Sequence, residues 1–229
     1  MKKIFLTIAC ICAGLMFSSC GSDNDDNNPT SQDFVIDARN VENGNDYSLL
    51  IDSVKAITNY DRHDYITPND IVATTNYING GFIMTLPSFI ANVMPIKDIW
   101  GGTIPNTINI NDPNAKVLII NDLLAYKAGE EIGDFKWINI GDPRWVIDGH
   151  FSYVEYVYAD RDITINGTHS TSGVGDINDG KESTAFDNLS LKKGWNEIYS
   201  VYSQVSENES LTVRSNTKPA GLKWIFYPR

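Results

Sequence analysis

Tryptophans on loops are the side chains of this sequence best suited to hold a ligand. Trp145 lies in the stretch GDPRWVIDGH, and Trp100 stands immediately before Gly101 and Gly102, so both positions are typical of loops. The face of an indole ring stacks on sugar rings, while polar neighbours fix the orientation of the ligand. We therefore predict that Trp145 and Trp100 contact a ligand, with core packing as the alternative for each. Trp224, in LKWIF, has the alternation of a core strand.

Residues for catalysis lack the spacing that catalysis requires. His63, His150 and His169 stand in no HExxH or C-x-x-C pattern. The sequence has no G-x-S-x-G elbow and no phosphate-binding glycine loop that precedes a helix. Glu155 and the pair at residues 130–131 are the nominal carboxylates for a glycosidase, which needs two carboxyls held in a cleft. We predict a non-enzymatic protein without a cofactor.

One stretch, DINDG at residues 176–180, resembles a calcium loop. An EF-hand loop has glycine at its sixth position, whereas here Gly180 is the fifth residue and no acidic residue closes the loop. Asp176, Asn178 and Asp179 are therefore predicted to bond their own backbone in an Asx-rich turn. A Ca²⁺ ion held by the same side chains is the alternative.

The first residues of the chain have the parts of a secretory signal peptide. Two lysines open the chain, residues 4–17 are apolar apart from one threonine and one glycine, and two serines precede Cys20. An apolar run of this length is too short for a helix that spans a bilayer, which takes about 20 residues. We predict a signal peptide over residues 1–19, with a retained membrane anchor as the alternative.

The sequence LMFSSC, which ends at Cys20, resembles the lipobox of bacterial lipoproteins, with Phe17 where the commonest lipobox has leucine. This resemblance implies that Cys20 is acylated and becomes the mature N-terminus. Acyl chains would then hold the protein in the outer membrane without a transmembrane helix.

Asp23, Asp25 and Asp26 follow Cys20 among asparagines, in a segment that cannot bury apolar area. Residues 20–32 are therefore predicted to form a solvated tether. An acidic cluster directly after the lipid-bearing cysteine resembles the surface-export signal of Bacteroidetes-type lipoproteins. INGGFIMTLP and LKKGWNEIY are also similar to stretches of uncharacterised envelope lipoproteins of that group. The resemblance implies a position on the outer face of the outer membrane, with a periplasm-facing position as the alternative.

Charge and cysteine content agree with an envelope protein. The formal charge is −11 and becomes −13 when Lys2 and Lys3 leave with the signal peptide. Nucleic acids and anionic lipid surfaces attract basic patches, so this balance disfavours both as partners. Cys20 is the only cysteine after residue 19, so the mature chain is predicted to have no disulfide.

The body of the chain alternates β-branched and aromatic residues with Asn, Asp and Gly, which predicts an all-β fold. KVLIIN and LLAYK are predicted as two strands separated by Asn121 and Asp122. NLSLKKGWNEIYSVYSQ is predicted to form a hairpin that turns at Lys193 and Gly194. Residues 101–115, rich in Gly, Pro and Asn, are the predicted domain boundary. We expect immunoglobulin-like or transthyretin-like β-sandwich units at residues 33–112 and 113–229, with a single lipocalin-like β-barrel as the alternative.

These observations predict a lipid-anchored cell-envelope binding or adhesion module, with a glycan or an envelope protein as its partner. Glycan capture is what the resemblance to surface lipoproteins implies. A surface glycoside hydrolase and a structural subunit that donates or accepts a strand remain the alternatives. Paired carboxylates in a cleft would favour the hydrolase, and a row of exposed aromatic residues would favour binding.

Overall fold

The computed structural model describes residues 33–58, 66–100, 102–140, 149–172 and 180–229. Fourteen strands make up nearly all of the regular structure in this part of the chain. The strands are β1 (Phe34–Ala38), β2 (Ser53–Thr58), β3 (Ile71–Asn76), β4 (Phe82–Leu86), β5 (Met94–Pro95), β6 (Ile108–Ile110), β7 (Lys116–Lys127), β8 (Glu130–Ile140), β9 (His150–Ala159), β10 (Ile163–Ser172), β11 (Lys181–Leu191), β12 (Gly194–Ser206), β13 (Glu209–Ser215) and β14 (Lys223–Pro228). Short 3-10 helices span Gly44–Tyr47, Pro68–Asp70 and Ile96–Trp100.

The strands form one large sheet and one small sheet. The large sheet has the order β3-β2-β7-β8-β9-β12-β13-β11-β10-β6, with β14 paired to β8 and β5 to β7, and the small sheet pairs β1 with β4. The all-β prediction is confirmed. The path of the large sheet ends at β3 and at β6, so over the described residues it stays open and does not close into the lipocalin-like barrel given as the alternative.

Alternation of apolar and polar residues sets which face of each strand is buried. In β4, Phe82, Met84 and Leu86 are buried and the residues between them are exposed, as the period of two predicts. The turn before β4 uses Asn79 and Gly80, both with positive φ, and Ile78 and Gly81 close it with backbone hydrogen bonds. Only residues that tolerate positive φ fit this tight turn.

Two apolar cores lie on opposite faces of the same central strands. In β9, Tyr156 and Tyr158 belong to one core, which is completed by residues of β1, β4, β8 and β14. Val157 and Ala159 belong to the other, which is completed by residues of β10 and β11 and by residues 96–115. Successive side chains of a strand point to opposite faces, so β9 serves both cores.

The predicted boundary between residues 112 and 113 is crossed by strand pairing and by a shared core. β2 pairs with β7 over the whole length of β2. Ile36 and Met84, from the first segment, are buried in the same core as Leu118 and Phe135, from the second. Residues 32–229 accordingly form one compact unit.

The predicted hairpin between β11 and β12 is wrong, because β13 lies between these two strands. β13 pairs in parallel with β11 and in antiparallel with β12. Just beyond the end of β13, the Asn216 side chain bonds β11 in place of backbone groups. Its amide oxygen accepts a hydrogen bond from the Ser190 amide at 2.7 Å, and its amide nitrogen donates to the Ser190 carbonyl at 2.9 Å. The Lys193–Gly194 stretch therefore links two strands that are not neighbours.

Candidate functional site

A groove opens where three strands exchange partners. β7 pairs with β9 from Val117 to Ile120 and with β8 from Leu123 onwards. β8 pairs with β9 only from Ile138. Between these pairings the three strands diverge around Asn121 and Asp122, and they leave a groove of about 890 Å³, which we call the junction groove.

The residues that line the junction groove come from six strands and from the 3-10 helix at Ile96–Trp100. They are Met94, Ile99, Ile119, Ile120, Asn121, Asp122, Asp134, Lys136, Trp137, Ile138, Phe151, Tyr153, Val154, Glu155, Tyr202 and Tyr227. The lining therefore combines aromatic rings, aliphatic side chains and ionisable groups, which is the mixture typical of ligand pockets.

One wall of the junction groove carries a lysine held between two carboxylates. Lys136 Nζ donates to Asp122 Oδ1 at 2.5 Å and lies 3.2 Å from Asp134 Oδ2. Burial works to lower the pKa of Lys136, but the hydrogen bond and charge of Asp122, together with Asp134, outweigh it and raise that pKa. The ammonium group is therefore charged at neutral pH, and it orients both carboxylates.

At the floor of the groove, Glu155 pairs with Arg214. Arg214 Nη2 donates to Glu155 Oε1 at 3.0 Å, its Nε lies 3.0 Å from Oε2, and the Ser200 hydroxyl donates to Oε2 at 2.6 Å. Burial works to lower the pKa of Arg214, but the charge of Glu155 and a contact with Tyr153 raise it. Glu155 therefore accepts one hydrogen bond on each of its two carboxylate oxygens, and its position is well defined.

The wall formed by β9 and β12 is aromatic. The rings of Phe151 and Tyr202 are stacked with centroids 4.8 Å apart, and Tyr153 lies 5.8 Å from Phe151 on the same strand. All three are half-buried.

Tyr227 lies across from Asp134 in the pairing of β14 with β8. Burial, then the charge of Asp134, raises the pKa of Tyr227, so its hydroxyl is neutral and can donate to a ligand.

Trp137 also borders the groove, but its ring is engaged elsewhere. Its indole stacks on Trp224 with centroids 5.6 Å apart and an interplanar angle of 8°. Lys218 Nζ lies 4.2 Å from the centroid of the same ring. Trp224 is itself in the core, as its alternation predicted. We therefore assign Trp137 to packing rather than to ligand contact.

Trp100 lines a second cleft of about 560 Å³, which we call the distal cleft. Its ring meets Phe186 edge-on with centroids 5.9 Å apart, and it is half-buried against the core that contains Val157. His169, Thr171, Glu182 and Arg214 are among the other residues that line this cleft. Trp100 thus borders open space and also packs, and its role in ligand contact stays a prediction.

The remaining predicted site residues lie outside the part of the chain that the structure describes. They are Cys20, Asp23, Asp25, Asp26, Trp145, Asp176, Asn178 and Asp179. Over the described ranges, no group of three or more His, Cys, Asp or Glu side chains is arranged to hold a metal ion. Helices that could cross a bilayer are also absent from these ranges.

Sequence reasoning missed most of the junction groove. The alternation of HFSYVEYVYAD places Tyr153 and Glu155 on the face opposite the core residues Tyr156 and Tyr158, and the structure shows that Tyr153 and Glu155 line the groove. Asp122 and Lys136, however, are 14 residues apart in the chain, and their contact depends on the pairing of β7 with β8. A local pattern carries no information on such a contact.

Comparisons with protein-family models, with curated proteins and with solved structures found no match to this chain. The function is therefore inferred from the chemistry of the two clefts and from the sequence features of the N-terminal segment.

Proposed function

We propose that this protein is a lipid-anchored module of the cell envelope that binds carbohydrate in the junction groove. The observation that carries the proposal is the pairing, in one open groove, of half-buried aromatic rings with charged groups in well-defined positions. Phe151, Tyr153 and Tyr202 form the first set, and Lys136 with its two carboxylates forms the second.

The chemistry of a sugar fits both walls. The C–H face of a pyranose packs on an aromatic ring, and burying that face removes apolar surface from water. Sugar hydroxyls both donate and accept, so the oxygens of Asp122, Asp134 and Glu155 offer acceptors, and the Tyr227 hydroxyl offers a donor. Because the carboxylates are already held by Lys136 and Arg214, little conformational entropy is lost when a ligand binds.

The anchor and its location are supported by the sequence. LMFSSC places Cys20 at the end of a lipobox-like segment, and Asp23, Asp25 and Asp26 follow it. Cys20→Ala should release the protein from the membrane fraction and abolish incorporation of labelled fatty acid. Replacement of the three aspartates by Asn should turn the protein from protease-accessible to protease-protected on intact cells. Label retained on the Cys20→Ala protein would exclude lipidation at this residue.

Hydrolysis of the bound glycan is the second candidate, because two carboxylates face the same groove. Asp122 Oδ1 and Asp134 Oδ2 lie 2.5 and 3.2 Å from the same nitrogen, so they are at most 5.7 Å apart. Retaining glycosidases hold their carboxyls about 5–5.5 Å apart. Here, however, Lys136 Nζ lies between these two oxygens, in the position that a glycosidic oxygen would have to occupy. We therefore favour binding without cleavage.

Titration calorimetry against soluble glucan, xylan, mannan, galactan and polygalacturonate tests the proposal. We expect at least one polysaccharide to bind, and Tyr202→Ala to weaken that binding strongly because the stacked pair with Phe151 is lost. Phe89→Ala is the matched control, since this phenylalanine is 76% exposed and does not line the groove. Absence of binding to all five polysaccharides would contradict the proposal. Release of shorter chains, detected by chromatography and lost in Asp122→Asn, would establish the hydrolase instead.

A further inference from the structure

One cross-strand row of side chains connects the junction groove to the distal cleft. Phe151 of β9 is directly opposite Tyr202 of β12, and Tyr202 is opposite Thr212 of β13. Thr212 is opposite Thr184 of β11, and Thr184 is opposite His169 of β10. Residues opposite each other on paired strands project from the same face of the sheet. These five side chains therefore form one line across five strands, which we call the central row.

A second row runs parallel to the central row, two residues further along each strand. Gln204 is opposite Ser210, Ser210 is opposite Glu182, and Glu182 is opposite Thr171. A cleft of about 620 Å³ lies over this row, and we call it the polar cleft. It shares Tyr202 with the junction groove, and Thr171 and Glu182 with the distal cleft. The three clefts are thus neighbouring parts of one surface.

The length of this surface exceeds what a single sugar needs. Adjacent strands lie about 4.8 Å apart, so the four spacings from β9 to β10 measure about 19 Å. Aromatic side chains stand at both ends, with Phe151 and Tyr202 at one and Trp100 at the other. Threonine, serine and glutamine side chains between them offer hydroxyl and amide groups. An extended chain of several linked sugars matches this sequence of apolar, polar and apolar contacts.

The charge of the surface favours neutral polysaccharides over those that carry negative groups. Five carboxylates and three Lys or Arg side chains line the three clefts. Two of the three cations, Lys136 and Arg214, are already paired with Asp122, Asp134 and Glu155. A uronate or sulfate group would therefore meet a surface with excess negative charge, on a chain of net charge −11.

We propose that the three clefts form one binding site for an extended segment of a neutral polysaccharide chain. This inference rests on the proposed function and adds the class of ligand and the direction in which it lies, across the strands from β9 to β10.

The test uses a length series cut from the neutral polysaccharide that binds best in the panel above. Affinity for the native protein should rise with each added sugar until the chain spans the central row, and then level off. His169→Ala, at the far end of the row, should weaken binding of the longest oligosaccharide about fivefold, equivalent to about 1 kcal/mol, and leave the disaccharide unaffected. Tyr202→Ala should weaken both.

Each outcome separates this inference from the proposal on which it rests. If no polysaccharide binds, the proposed function itself fails. If a disaccharide binds as tightly as the long chains, the extended site is refuted while the junction groove remains a carbohydrate site. Tighter binding of polygalacturonate than of any neutral chain would refute the neutral ligand. The length dependence of the native protein is decisive even if the His169→Ala variant fails to fold.

Discussion

On one face of the sheet, β9 and β12 each have two different ends. The closed end is buried beneath another segment, and the open end borders the junction groove. At the closed end, Val157 and Ile198 are buried in a core. At the open end, Phe151 and Tyr202 line the junction groove and remain half-buried. The two ends have similar alternation of large apolar side chains, so hydrophobicity of the strands is not what distinguishes a core from a site here.

The difference lies in what covers the strands. Residues 96–100 and 102–115 pass over the closed end, where Ile96 and Ile108 are buried and the Ile96 amide donates to the Ala115 carbonyl at 2.9 Å. Arg161 holds this segment in place, because its guanidinium binds Asp112 of the segment and Asp160, which follows β9, at 3.0 Å each. Over the described residues, no comparable segment covers Phe151 and Tyr202.

The ion pair of Glu155 and Arg214 marks the line between the two ends. Glu155 is opposite the core residue Ile198, whereas Arg214 is opposite Ser200, one step closer to the groove. Burying a charged pair among apolar side chains costs free energy, so the apolar core ends where this pair begins. One face of a strand therefore serves both stability and recognition when the covering segment ends part of the way along the strand.

The largest effect should come from Ile198→Ala at the closed end. Ile198 is 5% exposed, and deletion of a buried isoleucine side chain to alanine costs about 2–5 kcal/mol of the free energy of unfolding. Urea denaturation measures the loss, and polysaccharide binding by the folded variant should be unchanged. A loss no greater than that of Tyr202→Ala would contradict the distinction between the two ends.

Glu155→Gln, at the line between the ends, should have the next largest effect. The variant leaves Arg214, whose side chain is 26% exposed, without its charged partner, and loss of such a charged hydrogen bond costs about 1.5–3 kcal/mol. The double variant Glu155→Leu with Arg214→Leu should recover most of that stability, because no unpaired charge remains. Asp37→Asn, which breaks the exposed pair with Arg39, is the control and should leave the urea midpoint unchanged. Equal losses from Glu155→Gln and Asp37→Asn would show that the ion pair is not structural.

Tyr202→Ala, at the open end, should have a small effect on stability and a large one on binding. The residue is half-buried, and loss of its stacking on Phe151 should cost about 1 kcal/mol. Urea denaturation and calorimetry on the same preparation separate the two effects. If stability falls as far as in Ile198→Ala, the open end is a core and the site assignment is wrong.

The smallest effect concerns the pH dependence of the Arg161 contacts. The hydrogen bond from Arg161, against an opposing effect of burial, holds the pKa of Asp160 below its ordinary value. The unfolded carboxyl titrates near about 3.9, so the stabilisation is complete above that pH and is lost as pH falls through the lower native pKa. Asp160→Asn should therefore lose less stability than the native protein between about pH 5 and pH 3. Parallel loss in both proteins, measured by urea denaturation at each pH, would contradict this role.

The fold class and many of the buried faces follow from local spacing of residue types. Alternation in GFIMTLP puts Phe82, Met84 and Leu86 on one face, alternation in LKWIFYP puts Trp224 and Phe226 on one face, and all five are buried. Asn79 and Gly80 are residue types that tolerate positive φ, and both adopt it in the turn that precedes β4. These features depend on side chains one to four residues apart, so they can be recognised from local spacing.

The pairing of the strands and the position of the groove, by contrast, depend on contacts between distant parts of the chain. Asn121 and Asp122 suggested a break between two strands, but β7 is continuous there and changes its partner from β9 to β8. The Lys193–Gly194 turn suggested a hairpin, but β13 enters between its arms. Pairing of strands is a long-range choice set by burial over the whole sheet, and the period of two within a strand is the same for any partner. The groove arises from these pairings, and so its position followed from the fold and not from any one stretch of the chain.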